Sequence, residues 1–169
     1  KSPNPALGLR AIRLTLAFPK IFKRQIAAIH RASNYGNVRI MLPMVSNVSE
    51  LMEAKRLIEE VRSDLVKRKV KIPKSNLKLG VLIETPAAAL ISESLAKHCD
   101  FLAIGTNDLT MYTLAIDRGD EEVAKIYDPV HLSVLRLISS KYNIAILNGS
   151  VEALYSVLLN FFDIKTIIV

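Results

Sequence analysis

Residues 77–90 read LKLGVLIETPAAAL. The first seven form an apolar run of strand character, Glu84 ends it, Thr85 offers a hydroxyl to cap a helix, and Pro86 suits the first helical position, where its missing N–H costs nothing. A strand that passes within two residues into a helix start is the core of a βα unit. Further candidate strands lie at 38–43 (VRIMLP), 100–104 (DFLAI), 143–147 (NIAIL) and 164–169 (IKTIIV). Between them, 47–68 has clear helical spacing, with Val48, Leu51, Met52, Leu57, Ile58, Val61 and Leu65 three or four apart and charges opposite. Asn47 followed by Glu50 resembles a helix-start pair. Helices are also expected over 10–32, with a break near Pro19, over 131–142 and over 150–161. Strands alternating with helices predict an α/β fold with a parallel sheet, whose active groups collect just past the C-terminal ends of the strands.

The chain has 169 residues, 50% hydrophobic and 23% charged, which excludes disordered and fibrous classes and fits one compact domain. Its net charge of +7 is unevenly placed. No acid precedes Glu50, and eight basic residues, Arg10 and Arg39 among them, lie before it. Such a surface attracts anions in general and selects no partner alone. A second basic cluster, 67–78, has six basic residues and reads as an exposed connection between helix and strand. No aromatic residues interleave with its charges, so nucleic acid is not an expected partner. Cys99 is the only cysteine, which rules out an internal disulfide, favours a reducing, cytoplasmic setting, and reads as a buried, inert thiol. No apolar run reaches the length of a membrane helix, and no secretory signal is expected. The chain opens on Lys1 and closes on a strand-like TIIV, so it is expected to be a fragment.

Two strand ends carry acids. Glu84 closes LKLGVLI, and Asp108 lies four residues past DFLAI in the turn GTNDLT. In a parallel sheet both can point into one mouth, where two carboxylates suit a hard cation such as Mg²⁺. Structural roles compete with this reading: Glu84 as an acid favouring the helix dipole, Asp108 as a turn residue bonding its own backbone. Arg10, Arg39 and Arg118 offer planar forks for phosphate or carboxylate. His30, His98 and His131 fall on expected helices or their ends, without metal-ligand spacing, and read as structural.

NPALGLRAIR (4–13), VRIMLPMV (38–45), GVLIETPAAA (80–89) and FLAIGTNDLTMYTLAIDRG (101–119) together resemble the C-terminal domain of the Enzyme I family, the phosphoenolpyruvate–protein phosphotransferases of the bacterial sugar phosphotransferase system. Pyruvate phosphate dikinase and phosphoenolpyruvate synthase share the ETPAA and ND-type motifs, but TLAIDRG followed by IYDPVHLSVL is closer to Enzyme I. The resemblance implies a (β/α)₈ TIM-type barrel, here incomplete with about five strand–helix units, binding phosphoenolpyruvate (PEP) and Mg²⁺ at its C-terminal mouth, and a homodimer formed through this domain. Carried over, Glu84 and Asp108 are metal ligands, Arg10, Arg39 and Arg118 grip phosphate and carboxylate, and Asn107 helps hold the phosphate. Arg39 stands at the start of its expected strand, the end away from the mouth, so it must reach along the barrel interior or the strand must begin earlier.

The sequence departs from the family pattern in several places. A whole barrel takes roughly 250 residues, so the family's first strands, with a further phosphate-binding arginine, are expected to precede Lys1. Where the family has a Cys-Gly-Glu motif whose cysteine protonates the enolate, this chain has Asn148, Gly149 and Ser150. An amide gives no proton at neutral pH, so that route to pyruvate is expected to fail or be very slow. Met111 stands where Gln is usual, and none of the three histidines lies in the Thr-Ser-His motif of the family's phosphate-accepting N-terminal domain. The expected function is therefore the PEP- and Mg²⁺-binding portion of a phosphotransferase that passes the phosphoryl group to a histidine on a separate domain. The alternative is a degenerate, non-catalytic relative that acts by binding a metabolite or partner. An incomplete barrel leaves sheet edges uncovered and predicts self-association.

Overall fold

A computed structural model describes residues 4–142 and 167–168. After a 3₁₀ turn (Pro5–Leu7), helix α1 (Ala11–Ala17) breaks at Phe18, and Pro19 opens α2 (Pro19–Ala32) at its first position. The break near Pro19 is thus where the ring forbids a continuous ladder. Strand β1 (Arg39–Leu42) leads to α3 (Val48–Lys67), β2 (Lys78–Ile83), α4 (Pro86–Leu90), α5 (Ser92–Ala96) and β3 (Phe101–Ile104). Helices α6 (Thr106–Leu114), α7 (Glu121–Ala124) and α8 (Leu132–Tyr142) follow, with the two-residue strand β4 (Ile167–Ile168) last. The expected strand 143–147 and helix 150–161 lie outside the described residues. Among the described residues no helix is long and apolar enough to cross a membrane.

The expected start of α3 forms as a full capping box: the Asn47 side chain accepts the Glu50 N–H at 3.0 Å, and the Glu50 carboxylate accepts the Asn47 N–H at 3.1 Å. Thr85 caps α4 by accepting the Ala88 N–H at 3.1 Å. The following helix is shorter than its alanine-rich start implies, because the chain turns at Ile91 into the separate α5. In α3, Met52 turns outward, 45% exposed, and Ala54 takes a place in the core.

β1, β2 and β3 pair in parallel and in chain order, with β4 added beyond β1. The α/β class and the parallel sheet are as expected. Partners in a parallel register share a face, which divides the sheet cleanly. Ile40, Leu42, Leu79, Val81, Ile83, Leu102 and Ile104 pack with Phe22, Ile26 and Ile29 of α2 and Leu51, Leu57, Val61 and Leu65 of α3. Arg39, Met41, Gly80, Leu82, Phe101 and Ala103 take the other face. The link 68–77 runs exposed past the N-terminal ends of the strands, tied down where the Asn34 side chain donates to the Lys71 carbonyl at 2.9 Å. Cys99 is half-buried; its thiol donates to the Phe101 carbonyl at 3.3 Å, and burial pushes its pKa up, away from the reactive thiolate.

Candidate active site

The C-terminal ends of β1, β2 and β3 meet around Glu84. Just past β1, Met44 adopts a left-handed backbone (φ 58°), a conformation uncommon outside glycine, and its N–H donates to Glu84 Oε1 at 2.6 Å. Thr85 adds a second tie between these ends by donating its hydroxyl to the Val45 carbonyl at 3.2 Å. Past β3, the Gly105 N–H donates to the Ile83 carbonyl at 3.0 Å, which draws the start of α6 against Glu84. Only glycine fits there: a Cβ on residue 105 would lie 2.9 Å from Glu84 Cβ and 3.1 Å from its Oε2. Asp108, expected in a turn, instead sits in the first turn of α6, where the helix dipole favours its negative charge.

Glu84 is 5% exposed, and burial is the main force pushing its carboxyl pKa up, with the charge of Asp108 acting in the same direction. The Met44 N–H and the charge of Arg10 oppose the shift. Asp108 Oδ1 accepts from Arg118 Nη2 at 2.7 Å. Arg10 donates to the Tyr112 hydroxyl at 3.3 Å, and that hydroxyl donates onward to the Ala6 carbonyl at 2.6 Å, so α6 holds the N-terminal segment beside the mouth. Asn107, also in the first turn of α6, accepts from the Tyr127 hydroxyl through its carbonyl (3.2 Å) and its side-chain oxygen (3.4 Å). Met44, Tyr112 and Tyr127 carried no signal in the sequence. Their roles arise from a backbone twist and from contacts between distant segments.

Two carboxylates, one desolvated and disfavoured by the other's charge, form a pair that a hard divalent cation would relieve. Among the described residues no group of three or more His, Cys, Asp and Glu side chains could hold a metal. Glu84 and Asp108 would therefore leave the other positions to water and ligand oxygens, the pattern Mg²⁺ favours. The residues fit that ion.

Arg39 is not brought to this mouth. It pairs in register with Lys78, six residues before Glu84, which is roughly 20 Å along the strand direction. Its guanidinium instead lies 5.7 Å from the centroid of the Phe101 ring, on the sheet face away from α2 and α3. β1 begins at Arg39 itself, so an earlier strand start does not resolve the offset. Met111 is buried on α6, a setting that suits an apolar thioether better than an amide. His131 is structural: its Nδ1 accepts the Ser133 N–H at 3.3 Å at the start of α8. Asn148 lies outside the described residues.

The family described as PEP-utilising enzyme, PEP-binding domain, matches residues 1–153. The phosphoenolpyruvate-protein phosphotransferase of Haemophilus influenzae is 46% identical over 138 residues, covering 82% of this chain and 24% of that protein. Its counterpart from Bacillus subtilis is 45% identical over 139 residues, again 82% and 24%. The protein of that name from Buchnera aphidicola of Acyrthosiphon pisum is 42% identical over 149 residues, 88% and 26%. The chain thus spans about a quarter of the length of these curated relatives. With that family's model matching residues 1–153 of the 169, the chain belongs to the PEP-binding domain family of the PEP-utilising enzymes.

Proposed function

We propose that this chain is the portion of a phosphoenolpyruvate–protein phosphotransferase that binds PEP with Mg²⁺, and that β1, β2 and β3 are consecutive staves of a (β/α)₈ barrel. Parallel strands adjacent in chain order, with the candidate site past their C-terminal ends, support the barrel. The observation that carries the function is the buried Glu84 beside Asp108 across two neighbouring strand ends, with Arg10 and Arg118 close to them.

In this reading Glu84 and Asp108 hold the cation, Arg118 leaves Asp108 to take a phosphate oxygen, and Arg10 and Asn107 hold the rest of the substrate. The cation, when bound, adds positive charge against the oxygens of the transferring group and the enolate. Arg10 and Arg118 offset the remaining charge in a fixed geometry, the main contribution a protein makes to phosphoryl transfer. The offset of roughly 20 Å exceeds the reach of an arginine side chain, so Arg39 takes no part in holding the substrate in this reading. The acceptor is a histidine on a separate domain of the parent protein, which we place in the cytoplasm as a homodimer. Transfer to that histidine and protonation of the enolate are separate steps, and Asn148 bears only on the second.

Calorimetric titration with PEP and Mg²⁺ tests the reading. Saturable binding is expected from the native chain and none from Asp108→Ala. Absence of binding by a native chain whose circular dichroism shows it folded would overturn the proposal.

A further inference from the structure

At the opposite end of the sheet a groove of about 500 Å³ opens between α2, α3 and the start of β2. Two of its lining residues hold buried nitrogens without a hydrogen-bond partner: His30, 2% exposed, at Nε2, and Arg62 at Nε. Leaving such groups dry and unpaired is costly, and protein interiors rarely tolerate it. Arg62 is held in place because its Nη2 donates to the Lys74 carbonyl at 2.6 Å. Lys55 donates to the His98 carbonyl at 2.8 Å, and Lys78 lies 3.9 Å from Asp100. Of the four cations in the lining, Arg56 is paired with Glu53 and Glu60 and Lys78 lies beside Asp100, which leaves the charges of Lys55 and Arg62 against the carboxylate of Glu59. The unmet groups are donors, given an Nε2–H tautomer of His30, and the two lining cations without an ion-pair partner among the described residues, Lys55 and Arg62, outnumber Glu59.

We propose that this groove is a second binding site, for a small oxyanion, gripped by His30 Nε2–H and Arg62 Nε–H. Two donors flanked by the charges of Lys55 and Arg62 fit one phosphate or carboxylate group. Burial and then the charge of Arg62 push the His30 pKa down, with Glu59 opposing, and an anion lying between the two would reverse that push. The groove borders Lys78 at the start of β2, roughly 20 Å along the strand from Glu84, so it is separate from the mouth.

The test is titration of the ¹⁵N-labelled 169-residue chain with inorganic phosphate at constant ionic strength, following its three imidazoles by NMR. We expect a saturable shift of the His30 ring, a rise in its titration midpoint, and a still His131. Arg62→Lys keeps the charge but removes Nε–H, and should weaken the response by about tenfold, the value of one charge-assisted hydrogen bond. Asp108→Ala should leave the response intact. Acetate in place of phosphate tells which oxyanion the groove prefers, either preference agreeing with the proposal. As a readout independent of the Arg62 variant, phosphate should raise Tm by less in His30→Gln than in the native chain, the mouth contributing equally to both, and an equal rise would overturn the site. An unsaturable, salt-like response of His30, one unchanged in Arg62→Lys, or one lost in Asp108→Ala would overturn the site.

Discussion

Gly105 holds a position where a methyl group has no room. Its φ of −92° is open to any residue, so the demand for glycine is steric and comes from Glu84. In Gly105→Ala the new Cβ must displace either α6 or the Glu84 carboxylate, and overpacking of this kind costs about 1–3 kcal/mol. We expect PEP–Mg²⁺ binding to be lost at temperatures where circular dichroism shows the variant still folded, because the displaced group is the proposed metal ligand. Binding at native affinity would show that Glu84 is not held by this contact. Glu84 and Asp108 were legible because strand ends follow from local apolar patterning. Arg39 was only half legible: its strand is plain in the sequence, but its seat on Phe101 depends on a register between β1, β2 and β3 that no local pattern encodes. The left-handed Met44 was invisible for a similar reason, since methionine has no preference for that backbone and only the Glu84 carboxylate accounts for it.

Among the elements, α3 carries the most self-contained instruction. Its capping box satisfies backbone donors that a helix start otherwise leaves open, and five of its side chains, Leu51 to Leu65, are buried. Asn47→Ala should therefore lower stability by about 1 kcal/mol without touching the mouth, measured as a lower urea midpoint at an unchanged slope. An unchanged midpoint would mean the box adds nothing beyond solvent. Strand β2 makes the opposite kind of demand. A Cβ on Gly80 would lie 2.3 Å from the Phe101 ring, so Gly80→Ala should push the ring aside and cost about 1–3 kcal/mol, although alanine is otherwise the better strand residue. In Phe101→Leu the same change should cost less, and a double-mutant cycle measures the difference. Caps and strand cores were readable because they are local. Helix α6 was not, since its start reads as a turn, GTNDLT, and what holds it is the bond from Gly105 to β2 and the contact of Tyr112 with Arg10.

At the scale of the whole molecule, one sheet face is the core and the two sheet ends differ in chemistry. The C-terminal end sets two carboxylates beside Arg10 and Arg118, and the N-terminal end sets Lys55 and Arg62 beside a buried histidine. The alternation of strands and helices made the α/β layering legible, whereas the burial of His30 was not, because its neighbours Arg62 and Glu59 come from a helix that begins beyond β1. That burial couples global stability to pH. Desolvation, and after it Arg62, hold the native pKa of His30 below 6.5. Between about pH 6.5 and that lower value the unfolded chain takes up a proton that the native chain refuses, so the native state loses stability as pH falls through this window. Above pH 6.5 the ring is neutral in both states and contributes no slope. Carboxylates add their own loss in acid, but they are common to both chains when the native protein is compared with His30→Leu. Urea midpoints measured from pH 7.5 downward should therefore fall more steeply in the native chain than in His30→Leu, the two curves separating as pH passes below 6.5. Parallel curves would mean that His30 is protonated as readily in the folded protein as in the unfolded one, and that the buried N–H proposed to grip an oxyanion is open to water.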